Sequence, residues 1–488
     1  MRGDRLEYYD PVYETISFQN GLPSSLGFLT QDTSIDPRLL IRTAEFTRLN
    51  FLRQAGLGWL IFPSATHTRF DHSIGCWGLA RLAETLIKVR TNRLQQPNSL
   101  SFWLKSKELR TEYYLALLCH DIGHGPLSHI LEMNEEFISG MKDRTTQLDY
   151  EHRAAALLEG TGPLLETWQE IALHRYGLNT KTFQEVRQYL KSSTDAVCIP
   201  SICYFITRDA KYHEKCTHPH KENLAFIKEL VNGLRSLRRL DHYARDSYFS
   251  GQRQFSINLR GFLSNLHVEA QPLSTGMVRL SLAGNGLRYA AGLLLKKRQS
   301  LFSTLRTPDI ISLHAMANWA LSTYLKNLDD LVSLNKACRQ IAFMEDDQLF
   351  ETITGVEHAG GRYIGQRIRS ARPYTYLGKY SNIELQEKAI DLAEFLDGTA
   401  KTSDFSPPKI LFHYENGFWE NPNLPEDLFD AQRIFINDTD MSLAEHPDYR
   451  NNFQHLKEAA NVKYLYIFLK DEGRKEELKS KINSMLGS

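Results

Sequence analysis

A mainly α-helical fold, with a small β-hairpin and a C-terminal α/β segment, is what this 488-residue chain predicts on three observations. Apolar residues recur at helical spacing in stretch after stretch up to about residue 380. Alternation of apolar and polar residues in the middle of the chain is confined to "FLSNLHVEA" and "MVRLSLAGNG". Beyond "GKYSN" and "SDFSPPK" the pattern changes, and the short runs "KILFHYE", "RIFIND" and "KYLYIFLKD" read as strands ahead of an amphipathic helix, "RKEELKSKINSML".

Taken in order, "DPVYETISF" (10–18) mixes β-branched and aromatic residues as a strand or hairpin arm does. The stretch 37–56 reads as a helix with Leu39, Leu40, Phe46, Leu49 and Leu52 on its apolar side, ended by Gly56. Further helices are expected over 74–94, over 108–123 (stopping at the glycines), through 151–190, over 223–251, and around 286–305 and 309–327. A polar loop is expected over 95–101, and residues 191–223, with Pro200, Pro219 and scattered Cys and His, read as an irregular insertion. The expected organisation is an N-terminal arm (1–36), a helical core (37–330), a helical and loop extension (331–380) and a small α/β domain (381–488).

Lys+Arg and Asp+Glu balance at 58 each, so no global charge favours nucleic acid or an anionic membrane as partner. Six scattered cysteines make no disulfide framework and suit a reducing compartment. With neither an apolar leader nor a run of about 18 apolar residues, the expectation is a cytoplasmic protein without membrane attachment.

The segment "CHDIGHGPLSH" (119–129) concentrates His120, Asp121, His124 and His129 at the end of a predicted apolar helix. A lone histidine is more often hydrogen-bonded structure than chemistry. Here, however, "ATHTRFDHSIG" (65–75) adds His67, Arg69, Asp71 and His72, and "DYEHRAAALL" adds His152, each cluster at a helix boundary. Imidazoles and a neighbouring carboxylate on rigid helix ends are what metal-assisted hydrolysis requires.

"FTRLNFLRQAG", "FPSATHTRFDHSIG" and "CHDIGHGPLSH" resemble the HD-domain phosphohydrolases, closest to the deoxynucleoside-triphosphate triphosphohydrolase branch. The resemblance extends to "DPVYETISF", "LDHYARDSYFSG" and the hairpin-then-helix region to about 325. It implies an HD-domain helical core, a divalent metal (Mn, Mg or Fe) and hydrolysis of a nucleoside triphosphate to a deoxynucleoside and triphosphate. It also implies a homo-oligomer. By the same resemblance His72, His120 and Asp121 are metal ligands, and His124, His152 and Arg69 are catalytic. Gln54 then meets the deoxyribose edge and Asp246 the sugar hydroxyl, while Arg239 belongs to a phosphate pocket to which Arg238 and His242, where the chain departs from the branch, add positive charge.

The chain departs from the pattern where the branch has its fourth metal ligand. Ser236 and Arg238 stand where two aspartates belong, and a guanidinium does not ligate a metal. His242 and Arg306 replace tyrosines, while Thr47 and Asn50 replace the Gln and Arg of a regulatory-nucleotide segment. Three readings follow. In the first, three protein ligands suffice for a hydrolase, with Asp241 as a substitute one turn on; in the second, Arg238 replaces the metal's charge and leaves a nucleotide-binding sensor; in the third, Arg238 clamps extra phosphate or a nucleic-acid end. The hydrolase of nucleoside triphosphates is the leading expectation, and nucleic acid is not favoured. "YHEKCTHPH" (212–220) lacks a zinc template, and "GMVRLSLAGNG" lacks the G-K-[ST] of a P-loop.

Overall fold

The computed structural model describes residues 6–18, 37–91, 98–99, 104, 107–141, 149–160, 162–177, 182, 184–185, 187–188, 197–216, 224–232, 236–251, 258–270, 278–282, 307–328, 330–355, 359–380, 410–416, 434–436, 463–470 and 472–486. Over these the fold is mainly α, as the sequence predicts.

The chain opens with an antiparallel hairpin, β1 (Leu6–Asp10) and β2 (Glu14–Phe18), paired from Leu6↔Phe18 to Asp10↔Glu14. Two short helices follow, α1 (Pro37–Ile41) and α2 (Ala44–Leu49), where the sequence suggested one helix to Gly56. The loop after α2 is strapped to residues 67–69: Gln54 N donates to His67 O at 3.0 Å, and Arg69 N donates to Leu52 O at 2.9 Å. Helix α3 (Arg69–Leu86) begins at a capping box, with Thr68 and Asp71 satisfying each other's backbone N–H. It starts five residues earlier than the apolar pattern alone suggests and gives way to strand β3 (Lys88–Thr91) with β4 (Asn98–Ser99).

Helix α4 (Lys107–Cys119) stops before the glycines, so His120 and Asp121 lie just past its end. After α5 (Glu135–Met141), helix α6 (Tyr150–Glu159) is capped by Asp149, which accepts from His152 N, and closes on Gly160 in the left-handed region. Helix α7 (Pro163–Tyr176) follows. The segment expected to be irregular holds two helices, α8 (Ile199–Thr207) and α9 (Ala210–Lys215). Pro200 sits in the first turn of α8, where its missing N–H costs nothing, and the apolar "ICYFI" run is buried against α4 and α6.

Helices α10 (Leu224–Asn232), α11 (Leu237–Phe249) and α12 (Leu259–Asn265) lead into the expected hairpin, β5 (Leu266–Ala270) and β6 (Val278–Leu282). The expected helix over 286–305 lies outside the described residues, and the next is α13 (Pro308–Lys326). Helices α14 (Leu331–Ile341), α15 (Asp346–Thr354) and α16 (Ala359–Arg369) precede β7 (Thr375–Tyr380). Strands β8 (Ile410–Asn416), β9 (Ile434–Ile436) and β10 (Lys463–Leu469) and helix α17 (Lys475–Leu486) complete the chain.

The strands pair at long range. β10 lies between β7 and β8, antiparallel to both. The hairpin β5–β6 is the centre of a five-stranded sheet, β4-β3-β5-β6-β9, with β3 parallel to β5 and β9 parallel to β6. The buried core is built on α3, α4, α8 and α11, where α3 packs on both α4 and α11. Among the described residues no helix is long and apolar enough to cross a membrane.

Candidate active site

The end of α4 meets the start of α3 and one face of α11, and Arg69, His72, His120, Asp121, Arg238, Asp241 and Asp246 on these elements are all buried. His72 and His120 stand edge to face with ring centroids 5.0 Å apart, and His242 meets His72 at 5.6 Å. Each histidine is oriented through one nitrogen. His72 Nδ1–H donates to Asp241 Oδ2 at 2.6 Å, His120 Nδ1–H to Leu117 O at 2.8 Å, and His124 Nδ1–H to Gly125 O at 3.0 Å. That assignment leaves Nε2 of all three as a lone pair. Carboxylate or carbonyl on Nδ1 with Nε2 left open is the arrangement found behind metal-bound histidine.

Burial drives these histidines to the neutral form. It pulls His72 and His124 below the usual imidazole range and His120 down to about 3. Asp121 is held well below the usual carboxylate range: burial opposes this, but His120 and Arg69 outweigh it. Arg69 Nη1 donates to Asp121 Oδ2 at 2.9 Å, and the other oxygen lies 3.4 Å from His120 Nε2. Neutral imidazoles with an ionised carboxylate are the donor set a divalent cation takes. Buried polar atoms without a partner, His120 Nε2, His124 Nε2, Gln54 Oε1, Arg69 Nε and Arg238 Nη1, mark a place where a ligand supplies what the protein does not. The residues therefore fit a metal ion.

The remaining expected residues fall around this centre. Gln54 Nε2 is 3.1 Å from His242 Nδ1, and His242 Nε2 is 2.7 Å from Asp246 Oδ2. Burial opposes protonation of His242, but Asp246 raises it above the usual range. Asp246 also takes His67 Nε2 on its other oxygen at 2.7 Å, so it is committed on both sides. His124 packs against Tyr150 at 4.4 Å and His129 at 5.0 Å. His152 faces elsewhere, to Asp149 at 2.8 Å and Asp209 at 3.5 Å, and Asp149 raises its pKa against the effect of burial. Arg239 is half-buried in the first turn of α11, and Arg306 lies outside the described residues.

Ser236 and Arg238 behave as their side chains dictate. Ser236 caps α11, its oxygen accepting from Arg239 N. Arg238 is buried and donates through Nη2 to Glu151 Oε1 at 2.7 Å and Asn232 Oδ1 at 2.6 Å. Asp241 does not stand free as a substitute ligand. Besides His72 it accepts two bonds from Arg245, at 3.0 and 3.1 Å, and Arg245 reaches Asp10 of the N-terminal hairpin at 2.8 Å. A chain Asp10–Arg245–Asp241–His72 thus fixes one imidazole from behind.

Sequence reading passed over Asp10, Glu151 and Asp346. Asp346 accepts from the backbone N–H of Arg53 at 2.8 Å and of Leu127 at 2.7 Å, joining both loops at the site. It is buried, which raises its pKa to about 6. Leu127 and Ser128 hold positive φ of 53° and 61°, a strained pair in the loop that carries His124. No local pattern announces a carboxylate recruited from some 220 residues away.

No family model matches the chain. Over 97 residues it is 41% identical to an HD domain-containing protein of Acanthamoeba polyphaga mimivirus, taking in 19% of this chain and 21% of that protein. It is 42% identical over 100 residues to the deoxynucleoside triphosphate triphosphohydrolase SAMHD1 of Danio rerio, 20% of this chain and 15% of that one. The Dictyostelium discoideum SAMHD1 homolog is 39% identical over 102 residues, 21% and 18%. The match thus takes in between 15% and 21% of the length of these curated relatives. A phosphohydrolase from Bacteroides thetaiotaomicron shares the fold, with TM-score 0.57 and 17% identity over 96% of this chain and all of that one. So does a hypothetical protein from Aquifex aeolicus, with TM-score 0.58, 18% identity and 98% and 100% coverage. Over about a fifth of its length the chain resembles HD domain-containing proteins, among them deoxynucleoside triphosphate triphosphohydrolases.

Proposed function

We propose that this chain is a metal-dependent phosphohydrolase of nucleoside triphosphates, converting a deoxynucleoside triphosphate to a deoxynucleoside and triphosphate. The observation that carries the reading is the buried His72, His120, Asp121 and His124 set with its open Nε2 atoms beside Arg69. His72, His120 and Asp121 would hold a divalent ion, which supplies Lewis-acid polarisation of a phosphoryl oxygen and a lower pKa for bound water.

The chain's own residues divide the remaining work. Arg69 and Arg238 are fixed cations for charge spread over phosphate oxygens, already oriented by Asp121 and Glu151. Arg239 adds a third from the same helix turn as Arg238. His124, neutral in its buried setting, accepts at Nε2; an arriving polyphosphate raises its proton affinity and makes it a donor to the leaving sugar oxygen. His152, in the first turn of α6, stands between Asp149 and Asp209, and serving a leaving group requires it to turn from them. Gln54 Oε1 and the His242–Asp246 pair offer an acceptor and donors to a sugar edge.

The test is incubation of purified protein with the four dNTPs, GTP and ATP, each with Mn²⁺, Mg²⁺ or Fe²⁺, and chromatography of the products. Triphosphate release, abolished in His120→Ala, is the expected result. Tight nucleotide binding with no turnover favours the second reading, a nucleotide sensor. The observation on its side is Arg238, a buried cation where the resemblance places a carboxylate. Homo-oligomeric assembly and a cytoplasmic location are parts of the same proposal, read by light scattering and by fractionation. Binding to nucleic-acid ends would weaken steeply with salt.

A further inference from the structure

We infer that Cys76 is a ligand of the metal centre, so that the site is a thiolate–imidazole one suited to zinc or ferrous iron over magnesium. The inference rests on the metal-site reading above and goes past it. Cys76 lies four residues after His72 on α3, one turn along the same face, and is fully buried. Its Sγ is 3.7 Å from His72 Nδ1 and 3.8 Å from His72 Nε2, committed to neither. Ligand atoms of His72, Cys76 and His120 all fall within 4.8 Å of one another, and they form the only group of three such side chains so close among the described residues. A tetrahedral ion at about 2.1 Å from nitrogen and 2.3 Å from sulfur spans pairs about 3.6 Å apart, so little movement is needed.

Independent of the thiol, His120 Nε2 is buried without a partner while its Nδ1 is spent on Leu117. Charge points the same way. The carboxylate that the resemblance places at position 238 is an arginine, and Asp241 is committed to Arg245 and His72. Asp121 is the one remaining carboxylate, with one oxygen already on Arg69. A dication here, near Arg69 and Arg238, lacks a second anionic protein ligand unless Cys76 provides it. On binding, the S–H bond breaks, its proton leaves to solvent, and the sulfur electron pair forms the metal bond in place of a water. Thiolate ligation selects zinc and iron, whereas magnesium prefers oxygen.

The experiment loads the full chain with Zn²⁺ for X-ray absorption and, separately, with Co²⁺ for near-ultraviolet absorption. The expected results are one sulfur scatterer at about 2.3 Å and a sulfur-to-cobalt charge-transfer band. In Cys76→Ser both are lost and zinc affinity falls by at least roughly tenfold. One equivalent of metal with only nitrogen and oxygen neighbours and no such band overturns the role of Cys76 and leaves the metal site standing. Failure of the unaltered chain to bind Zn²⁺, Co²⁺, Fe²⁺ or Mn²⁺ overturns both. The scattering measurement needs no variant, so a misfolded Cys76→Ser does not blunt the test.

Discussion

Asp241 and Glu112 show how much one buried carboxylate decides. Burial raises the Asp241 carboxyl, but Arg245 and His72 outweigh it and hold the pKa at about 2, below the usual carboxylate range. A depressed acid contributes stability above its unfolded pKa and loses it as pH falls through the folded one, here between about 4 and 2. Asp241→Asn should leave the His72 tautomer undefined and Arg245 half-paired. Divalent-metal affinity is expected to drop about 10- to 100-fold and stability by about 3 kcal/mol, read by calorimetry and urea melts. Glu112 behaves in the opposite sense. It is fully buried on α4, takes Cys198 N–H at 2.8 Å, and burial lifts it from 4.5 to about 8. A raised acid stabilises the fold below its unfolded pKa, and that contribution is lost as pH climbs from 4.5 toward about 8. Glu112→Gln should remove this slope and be the more stable protein at pH 8, by up to on the order of 4 kcal/mol. Urea melts between pH 5 and pH 8, with parallel slopes for the two proteins, would refute it.

At the scale of elements, the site exists because helix ends approach each other closely. A Cβ on Gly123 would lie 2.2 Å from Ala154 N and 2.4 Å from Tyr150 O, both backbone atoms of α6. No side-chain rotation relieves such a clash, so the α4 end and α6 would have to part. Gly123→Ala should cost about 3 kcal/mol or more, measured as a fall in denaturant midpoint, with the proposed triphosphate release lost alongside. Gly75 makes the matching approach of α3 to α11, where a Cβ would meet Arg245 Nη2 at 2.0 Å and Asp241 Oδ1 at 2.2 Å. Gly123, which reads as a helix stop in the sequence, and Gly75, which reads as helix interior, are both contact points in the fold. Strand β3 shows the reverse case: "LIKVR" continues the apolar spacing of α3, yet residues 88–91 pair with β5 almost 180 positions later. Pairing across the sheet overrides the local period there.

Across the whole molecule, Arg48 ties the active-site loop to the C-terminal half of the core. Its guanidinium donates to Ile122 O, His124 O and Met344 O at 3.1, 2.6 and 3.3 Å, between the rings of Trp168 and Phe343. Burial lowers its pKa to about 10, so it remains charged at neutral pH. Arg48→Met should remove three donors from buried carbonyls and cost about 3–5 kcal/mol. A thermal melt checks this, and a fall in stability below about 1 kcal/mol would show the carbonyls are satisfied otherwise. Asp346 joins the same halves from the other direction, through Arg53 N and Leu127 N.

The helical class, the hairpin at 266–282 and the two segments whose His72 and His120 the fold brings together were legible in the sequence, whereas His152 turns to Asp149 and Asp209. Period and residue type are local properties, and a histidine–aspartate doublet at a helix end stands out against an apolar run. The pairing of β7 with β10 and of β6 with β9 was not legible, because strand partners are chosen by burial across the sheet. Nor were the commitments of Asp241 to Arg245, of Arg238 to Glu151 and of Asp346 to two distant loops. Which side chain shares a buried space with which depends on where the helices cross, and only the folded chain brings Cys76 beside His120.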